Sequence, residues 1–265
     1  MRDTLGASRA KDALDALFDQ EDRHLRQQRQ GTNAILIPGG PFVMGSYEYS
    51  DEMPVRWELI DAFEIQRFPV TNLEFCDFLN ACHDPGSEPK DEKGNRVIDL
   101  GESKIMTKRG EYAAETGRGR HPVVGVTWFG AQAYCQWRSS QESGVQYGLP
   151  TEDQWEKAAR GCLGRRYPWG NTFEIKRCNT SEGGKTGTSS VGDYESGKSP
   201  YGCDDMAGNV WEWTASSYKE EGSTYVLRGG SWFSDPVIAR CATRFDFDPS
   251  SRYYDVGFRC VRTSK

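Results

Sequence analysis

Apolar runs that alternate with polar residues recur through most of the chain, and this period of two is typical of half-buried β-strands. The runs AILIP and FVMGS are joined by Pro-Gly-Gly, which predicts a hairpin over residues 34–46. In RWELIDAFEIQ one residue in two is apolar (Trp57, Leu59, Phe63, Ile65), which predicts a single half-buried strand. Further strands are expected in HPVVGVTW, NVWEWTAS, TYVLRGGSW, ARCATRF and VGFRCVR.

Three other segments carry the signals of helices. Thr71 and Glu74 form the T-x-x-E pattern of a capping box and predict a helix that runs to Cys82. Thr151 and Gln154 form a second box, which starts the helix TEDQWEKAARG. Another helix is expected after HPVVGVTW, and its apolar residues are Ala131, Tyr134, Cys135 and Trp137.

The remaining segments are polar. Residues 84–120 and 167–206 are rich in glycine and small polar residues, which predicts a long surface excursion and a long loop region. Residues 1–32 are highly charged with a few apolar residues at rough helical spacing, so we predict a helical extension before a main domain at residues 33–265. The predicted fold class is α+β, loop-rich, with antiparallel strands and two main helices.

Composition narrows the classes of function. The chain has 265 residues, a net charge of −6 and a mean hydropathy of −0.73, and no apolar run approaches the ~20 residues needed to cross a bilayer. No stripe of Lys and Arg stands out, which argues against nucleic acid as a partner. The N-terminus lacks the apolar core of a signal peptide. We expect a cytoplasmic protein that contacts neither membrane nor nucleic acid, with surface display by another route left open.

Cysteine and histidine usage argues against a transition-metal centre. None of the eight cysteines forms a C-x-x-C pair, so the short spacings of zinc sites are absent. The three histidines, His24, His83 and His121, are far apart in the sequence. In a reducing compartment most of the cysteines would be small buried apolar residues.

Eight motifs in a fixed order give the chain a family resemblance. They are GGPFVMGS, FPVTNLEFCDFLNA, HPVVGVTW, LPTEDQWEKAARG, YPWGN, DMAGNVWEWT, LRGGSW and VGFRCVR. Together they resemble the sulfatase-modifying-factor family, whose founding activity is formylglycine generation. The resemblance covers about residues 33 to 263 and implies a variant of the C-type lectin fold with bound structural calcium.

The same resemblance implies where calcium would bind. In DMAGNVWE, Asp205 and Glu212 would supply side-chain oxygens, and Gly208 and Val210 would supply carbonyl oxygens. A second family site begins at Asn179 and Thr180, but its usual downstream acid is missing here, although Glu182 could substitute. The alternative is a turn held by hydrogen bonds alone.

Two further positions are implied to meet. Cys135 and Cys260 match family positions that lie side by side. Cys241 also has a family partner, but its matching position is Ala159, with Cys162 three residues later, so we expect no second pair.

The founding oxidase chemistry is not expected. Those enzymes use two cysteines that follow the serine of the Gly-Gly-Ser turn by three and by eight residues, and Ser234 and Ala239 stand at these places after Ser231. Cys241 is nearby but matches a structural cysteine. Copper(I) binding and thiol exchange need thiolates, so we predict no copper and no enzyme activity. The related iron sulfoxide synthases need several histidines, which three scattered ones do not supply.

A binding surface is the expectation that remains. The fold and the C-terminal motif pattern resemble variable proteins of diversity-generating retroelements, which bind changing ligands through residues near the C-terminus. Three segments match, and their rigid rings and small polar residues suit a protein or peptide ligand. The predicted ligand-binding residues are Trp232, Phe233, Ser234, Asp235, Val237 and Ile238, then Phe245, Asp246, Phe247 and Asp248, then Ser251, Tyr253, Tyr254 and Asp255.

Two alternatives stay open. The rings could belong to the core, with the polar residues serving only as turn formers. The domain could also be an interaction module of a larger signalling or conflict system.

Overall fold

Two four-stranded sheets form the centre of the molecule. The computed structural model describes residues 33–218 and 223–264, so the predicted N-terminal helix lies outside the described residues. The strands are β1 (Ala34–Ile37), β2 (Gly40–Met44), β3 (Arg56–Ile60), β4 (Phe63–Gln66), β5 (Ile105–Lys108), β6 (Glu111–Ala114), β7 (Val145–Gly148), β8 (Trp211–Ser217), β9 (Tyr225–Arg228), β10 (Arg244–Phe247), β11 (Val256–Phe258) and β12 (Val261–Ser264). The sheets have the orders β1-β4-β12-β7 and β10-β9-β8-β11, and β2–β3 and β5–β6 form two small ribbons.

Three α-helices accompany the sheets in the described residues, at the three segments whose sequence predicted helices. They are α1 (Asn72–Cys82), α2 (Trp128–Gln141) and α3 (Glu152–Arg160). Both predicted capping boxes are confirmed: Thr71 and Glu74 bond each other's backbone, as do Thr151 and Gln154. None of these helices is long and apolar enough to span a bilayer.

The predicted strand connections were wrong in three places. AILI and FVM do not form a hairpin, because β1 pairs with β4 and β2 pairs with β3. RWELIDAFEIQ is two strands in different sheets, so Trp57 and Leu59 are exposed while Phe63 and Ile65 are buried. VGFRCVR likewise divides into β11 and β12, which belong to the two main sheets.

Three further segments also differ from the sequence expectation. HPVVGVTW forms only isolated bridges, at Pro122 and Val126, before α2 begins at Trp128. In ARCATRF, only the end is a strand, since β10 begins at Arg244. The excursion over residues 84–120 is partly core, because Val97, Ile105 and Tyr112 are buried and β5 pairs with β6. Residues 167–206 are irregular as predicted, with three short 3-10 turns.

The largest core cluster lies between α1, α2 and the β8–β11 sheet. Phe75 and Tyr134 stack with ring centroids 5.7 Å apart, and both meet Phe258 edge-on. Cys135 and Cys260 lie beside this cluster with their Sγ atoms 3.5 Å apart, as the family resemblance implied. Both are free thiols that tie α2 to the C-terminal segment.

The close contact of α2 with the chain before it gives a stability prediction. A Cβ at Gly130 would lie 2.0 Å from the carbonyl oxygen of Val97, so Gly130→Ala forces backbone apart and should cost about 1–3 kcal/mol of unfolding free energy. Gly148→Ala is the control, because a Cβ there meets nothing within 4 Å. Chemical denaturation of both variants measures the difference, and equal stabilities would contradict the packing described.

Candidate ligand-binding surface

The loop after β9 begins with two glycines in left-handed backbone conformations. Gly229 has φ 95° and Gly230 has φ 71°, a region that disfavours residues with a Cβ. A Cβ at Gly229 would also come within 3.0 Å of the Trp155 ring, and one at Gly230 would lie 3.2 Å from the Cα of Ala239. The chain therefore turns sharply away from the core at this point.

Hydrogen bonds hold the turned loop against the last strands. The Ser231 hydroxyl donates to Asp255 over 2.8 Å, and the Ser231 N–H donates to the Ser234 hydroxyl over 2.9 Å. Burial raises the pKa of Asp255, although the bond from Ser231 opposes this shift. The Trp232 N–H donates to the carbonyl of Asn209. The two serines thus stabilise the shape of the loop.

The aromatic side chains of the three predicted segments lie at the surface. Exposed fractions are 65% for Phe233, 48% for Phe245, 44% for Tyr253 and 45% for Tyr254. Phe247 is half-buried and packs against the core cluster. The alternative in which all of these rings belong to the core is therefore not what the structure shows.

The rings form two contacting groups, which are joined along the chain by the consecutive residues Tyr253 and Tyr254. Trp232 lies 5.7 Å from Tyr254 between ring centroids, and Phe247 lies 4.5 Å from Tyr253. Phe245 contacts Phe247 at 5.3 Å, because residues two apart in β10 share one face. We call this set (Trp232, Phe233, Phe245, Phe247, Tyr253, Tyr254) the aromatic surface.

The other predicted residues occupy the rim or the support of the aromatic surface. Asp235 accepts from the Ile238 N–H over 3.0 Å, and Ile238 packs on the core cluster. Asp248 accepts two bonds from Ser250, which lower its pKa. The partly exposed remainder is Val237, Asp246 and Ser251.

Sequence reasoning missed the residues that fix the loop from beneath. The Arg240 guanidinium donates to the carbonyl of Val237 over 2.6 Å and forms a two-bond ion pair with Glu52. The Tyr167 hydroxyl donates to the carbonyl of Pro236 over 2.9 Å. Glu52 lies 188 residues from Arg240, so no local pattern could reveal this pair.

Nearby thiols are unsuited to the founding chemistry of the family. Cys241 is fully buried, and burial raises the pKa of its thiol to about 12. Cys178 packs against Ala239, and burial raises its thiol pKa to about 12 as well. Burial and a raised pKa disfavour the thiolate form of both cysteines, and neither stands at the positions of the founding cysteine pair.

The acids of the predicted calcium turn have other partners. Glu212 is fully buried, and its carboxylate accepts from the Arg259 guanidinium through both oxygens and from the Trp155 indole N–H, each at 2.7 Å. Burial opposes the charge of Arg259, but Glu212 outweighs this effect and the pKa of Arg259 is raised. The set as it stands does not fit calcium, since Glu212 would have to release Arg259.

The other acid of this turn, Asp205, has a pKa that burial raises. Asp205 accepts from the Gly192 N–H over 2.9 Å, yet burial raises its pKa to about 7. The Gly208 carbonyl accepts from the Val210 N–H over 3.0 Å. No group of three or more Asp, Glu, His or Cys side chains in the described part of the chain has a metal-binding arrangement.

The second predicted calcium position fits a cation better. The Oδ1 atom of Asn179 and the hydroxyl of Ser189 are buried without a hydrogen-bond partner, while Asn209 bonds both residues. The carbonyl of Thr180 accepts from the Gly183 N–H, and Glu182 is exposed. Unpaired buried oxygens are ligands of the type that calcium prefers, so the prediction of calcium rests on this position.

The family of the chain follows from comparison with known proteins. Residues 20–264 match the sulfatase-modifying factor enzyme 1-like domain, and the chain therefore belongs to this family. Its structure has the C-type-lectin-like fold of the formylglycine-generating type. Treponema denticola variable protein 1 shares this fold, with a TM-score of 0.64 and 22% identity over 86% of this chain and 94% of that one.

Curated relatives differ in their described activity. Serine/threonine-protein kinase pkn1 of Chlamydia pneumoniae is 37% identical over 87% of this chain but only 38% of the kinase, so the chain spans about two fifths of that relative. Inactive C-alpha-formylglycine-generating enzyme 2 of Bos taurus is 35% identical over 88% of each chain. Other matching relatives are named as active enzymes. Membership of the family therefore does not decide activity.

The raised pKa of Asp205 gives a pH-dependent prediction. The folded state holds this proton up to about pH 7, whereas the unfolded chain releases it near the ordinary value of 3.8, so the group costs stability as the pH rises between these values. Asp205→Asn should therefore raise the unfolding free energy by about 1–2 kcal/mol at about pH 8 in chelator, discounted because the residue is partly exposed.

Denaturation at several pH values checks this prediction. The gain should vanish towards about pH 4, where both side chains are neutral. A variant less stable than the parent at high pH in chelator would contradict it. A stabilising effect of added calcium on the parent alone would show instead that Asp205 is a calcium ligand.

Proposed function

We propose that this chain is a non-catalytic ligand-binding domain whose aromatic surface contacts a protein or peptide. The observation that carries the proposal is the exposure of four rings on segments that hydrogen bonds fix from beneath. Rigid rings lose little conformational entropy on binding, and small polar residues beside them adapt their hydrogen bonds to the ligand. An exposed aromatic surface of this type suits a macromolecule better than a small metabolite, which needs a concave pocket.

The chemistry of the loop supports a role without catalysis. Ser234 and Ala239 replace the cysteine pair of the founding enzymes, and Cys241 and Cys178 are buried, un-ionised thiols. A relative that matches over almost its whole length is itself named as inactive. Calcium, where bound, would have a structural role near Asn179, away from any reaction.

The finer proposal is a variable protein of the diversity-generating type. Its support is the position of the three segments, which lie within residues 232–255 and contact one another through their rings, and a fold shared with a protein named as variable. A reverse transcriptase gene beside this gene, with an adenine-substituted copy of its 3′ end, is the observation that tests it. Their absence would leave a binding domain with a fixed surface.

A second candidate is a recognition domain within a signalling protein. The match to a kinase from Chlamydia pneumoniae, which extends over only 38% of that protein, favours it. Both candidates place binding on this domain, and they differ in whether the sequence of the aromatic surface changes between copies of the gene. Sequencing the gene from many isolates separates them.

The absence of the thiolate pair predicts no oxidase activity. A sulfatase peptide that contains the target cysteine, incubated with the protein, copper and oxygen, should keep its mass and show no formylglycine. An active formylglycine-generating enzyme from the same family serves as the positive control. Conversion of the peptide by this chain would refute the non-catalytic proposal.

The aromatic surface predicts where selected binders attach. Peptides enriched from a display library against the full chain should lose about tenfold or more in affinity when Phe233→Ser and Tyr254→Ser are combined, because exposed rings at the centre of an interface dominate its energy. Met106→Ser is a matched control, since Met106 is 44% exposed on a different ribbon. Equal losses in the control and the double variant, or none in either, would place binding elsewhere.

A further inference from the structure

The β2–β3 ribbon has one face in the core and one face in solvent. On the inner face Phe42 and Met44 are buried together with Cys162. The outer face is built from two cross-strand pairs, Pro41 with Leu59 and Val43 with Trp57. All four outer residues are apolar, and Trp57 and Leu59 are exposed to 57% and 77%.

The free edge of β3 is a second feature of this ribbon. The Val43 N–H donates to the carbonyl of Cys162 over 3.0 Å, so the backbone groups of Val43 point away from β3. Its cross-strand partner Trp57 therefore points its own N–H and C=O away from β2, and so does Leu59 two residues later. Within residues 33–218 and 223–264, β2 is the strand that pairs with β3, which leaves this outer edge open.

An unpaired strand edge with apolar side chains can form hydrogen bonds with an added strand. The sequence of β3 decides which strand fits, because Arg56 and Glu58 alternate with the apolar residues and form an exposed ion pair. The N–H and C=O groups of Val55, Trp57 and Leu59 point away from β2, towards an added strand. An antiparallel copy of β3 must pair these residues with each other, so few registers are permitted.

One of these registers places opposite charges across from each other in the two copies. A two-fold axis at Trp57 places Arg56 opposite Glu58 of the second copy and Val55 opposite Leu59 of the second copy. Shifting the axis to Arg56 would place that arginine opposite itself, and shifting it to Glu58 would place two glutamates together. The strand is therefore self-complementary in a single symmetric register.

We propose that the chain self-associates into a symmetric dimer through the outer edges of its two β3 strands. The two ribbons then form one four-stranded sheet of order β2-β3-β3-β2, in which the apolar outer faces become continuous. A closed two-fold contact of this kind uses the same surface on both copies. The contact is small, so the dimer is weak and concentration-dependent.

Sedimentation of the full chain over a range of concentrations tests the proposal. The average mass should rise with concentration from 29.8 kDa towards twice that value. Arg56→Glu or Glu58→Arg alone places like charges opposite each other twice per dimer and should weaken association by about tenfold. Mixing the two variants should restore it, because the heterodimer pairs carboxylates with guanidinium groups at every position.

Matched control variants distinguish an effect of the pairing register on association from an effect of net charge. Lys198→Glu and Glu195→Lys make the same charge changes in an exposed ion pair elsewhere and should leave association unchanged. Thermal unfolding confirms that each variant is folded. Dimerisation that survives both single substitutions, or that the mixture fails to restore, overturns the proposal. A monomer at every concentration, as follows if residues 1–32 or another protein occupies the edge, overturns it too.

Discussion

The ion pair of Glu212 and Arg259 is the contact on which both main sheets depend. Glu212 lies in β8, and Arg259 connects β11 of the same sheet to β12 of the other sheet. The guanidinium also donates to the carbonyls of Gln66 and Asp204, and the Trp155 indole brings α3 to the same carboxylate. Breaking a fully buried pair leaves a charge without compensation, which typically costs about 3–5 kcal/mol. Glu212 therefore has a structural role, since it holds the two main sheets together through Arg259.

Other buried arginines also donate hydrogen bonds to the carbonyl groups of loops. Glu156 pairs with Arg160 and with Arg228, and Arg228 also donates to the carbonyls of Ala242 and Thr243 over 2.9 Å. Loops leave many carbonyl groups without strand or helix partners, and a guanidinium with five donors satisfies several of them at once. This arrangement explains how a chain with long irregular segments keeps a fixed surface at its C-terminal loops.

Local features of the fold were predictable, and distant pairings were not. The capping boxes involve residues three apart, so Thr71 and Thr151 marked the helix starts correctly. Pro-Gly-Gly suits a hairpin and a change of sheet equally well, and β1 joined β4 because of surfaces that no local pattern reveals. For the site, the C-terminal motif pattern indicated the segment Phe245–Asp248, and its alternation agrees with the rings that share one face of β10. The motif around Glu212 said nothing of Arg259, 47 residues away.

The loop after Gly229 is held in a fixed shape by its backbone conformation and by its own side chains. The Ser231 hydroxyl donates to Asp255, and the Ser234 hydroxyl accepts from the Ser231 N–H, so both serines hold the loop in place. Left-handed glycines and the Arg240 bond to Val237 restrict the backbone further. A surface already ordered in the free protein contributes more of its contact energy to affinity, because less entropy is lost on binding. These constraints are the ones that the proposed recognition surface requires.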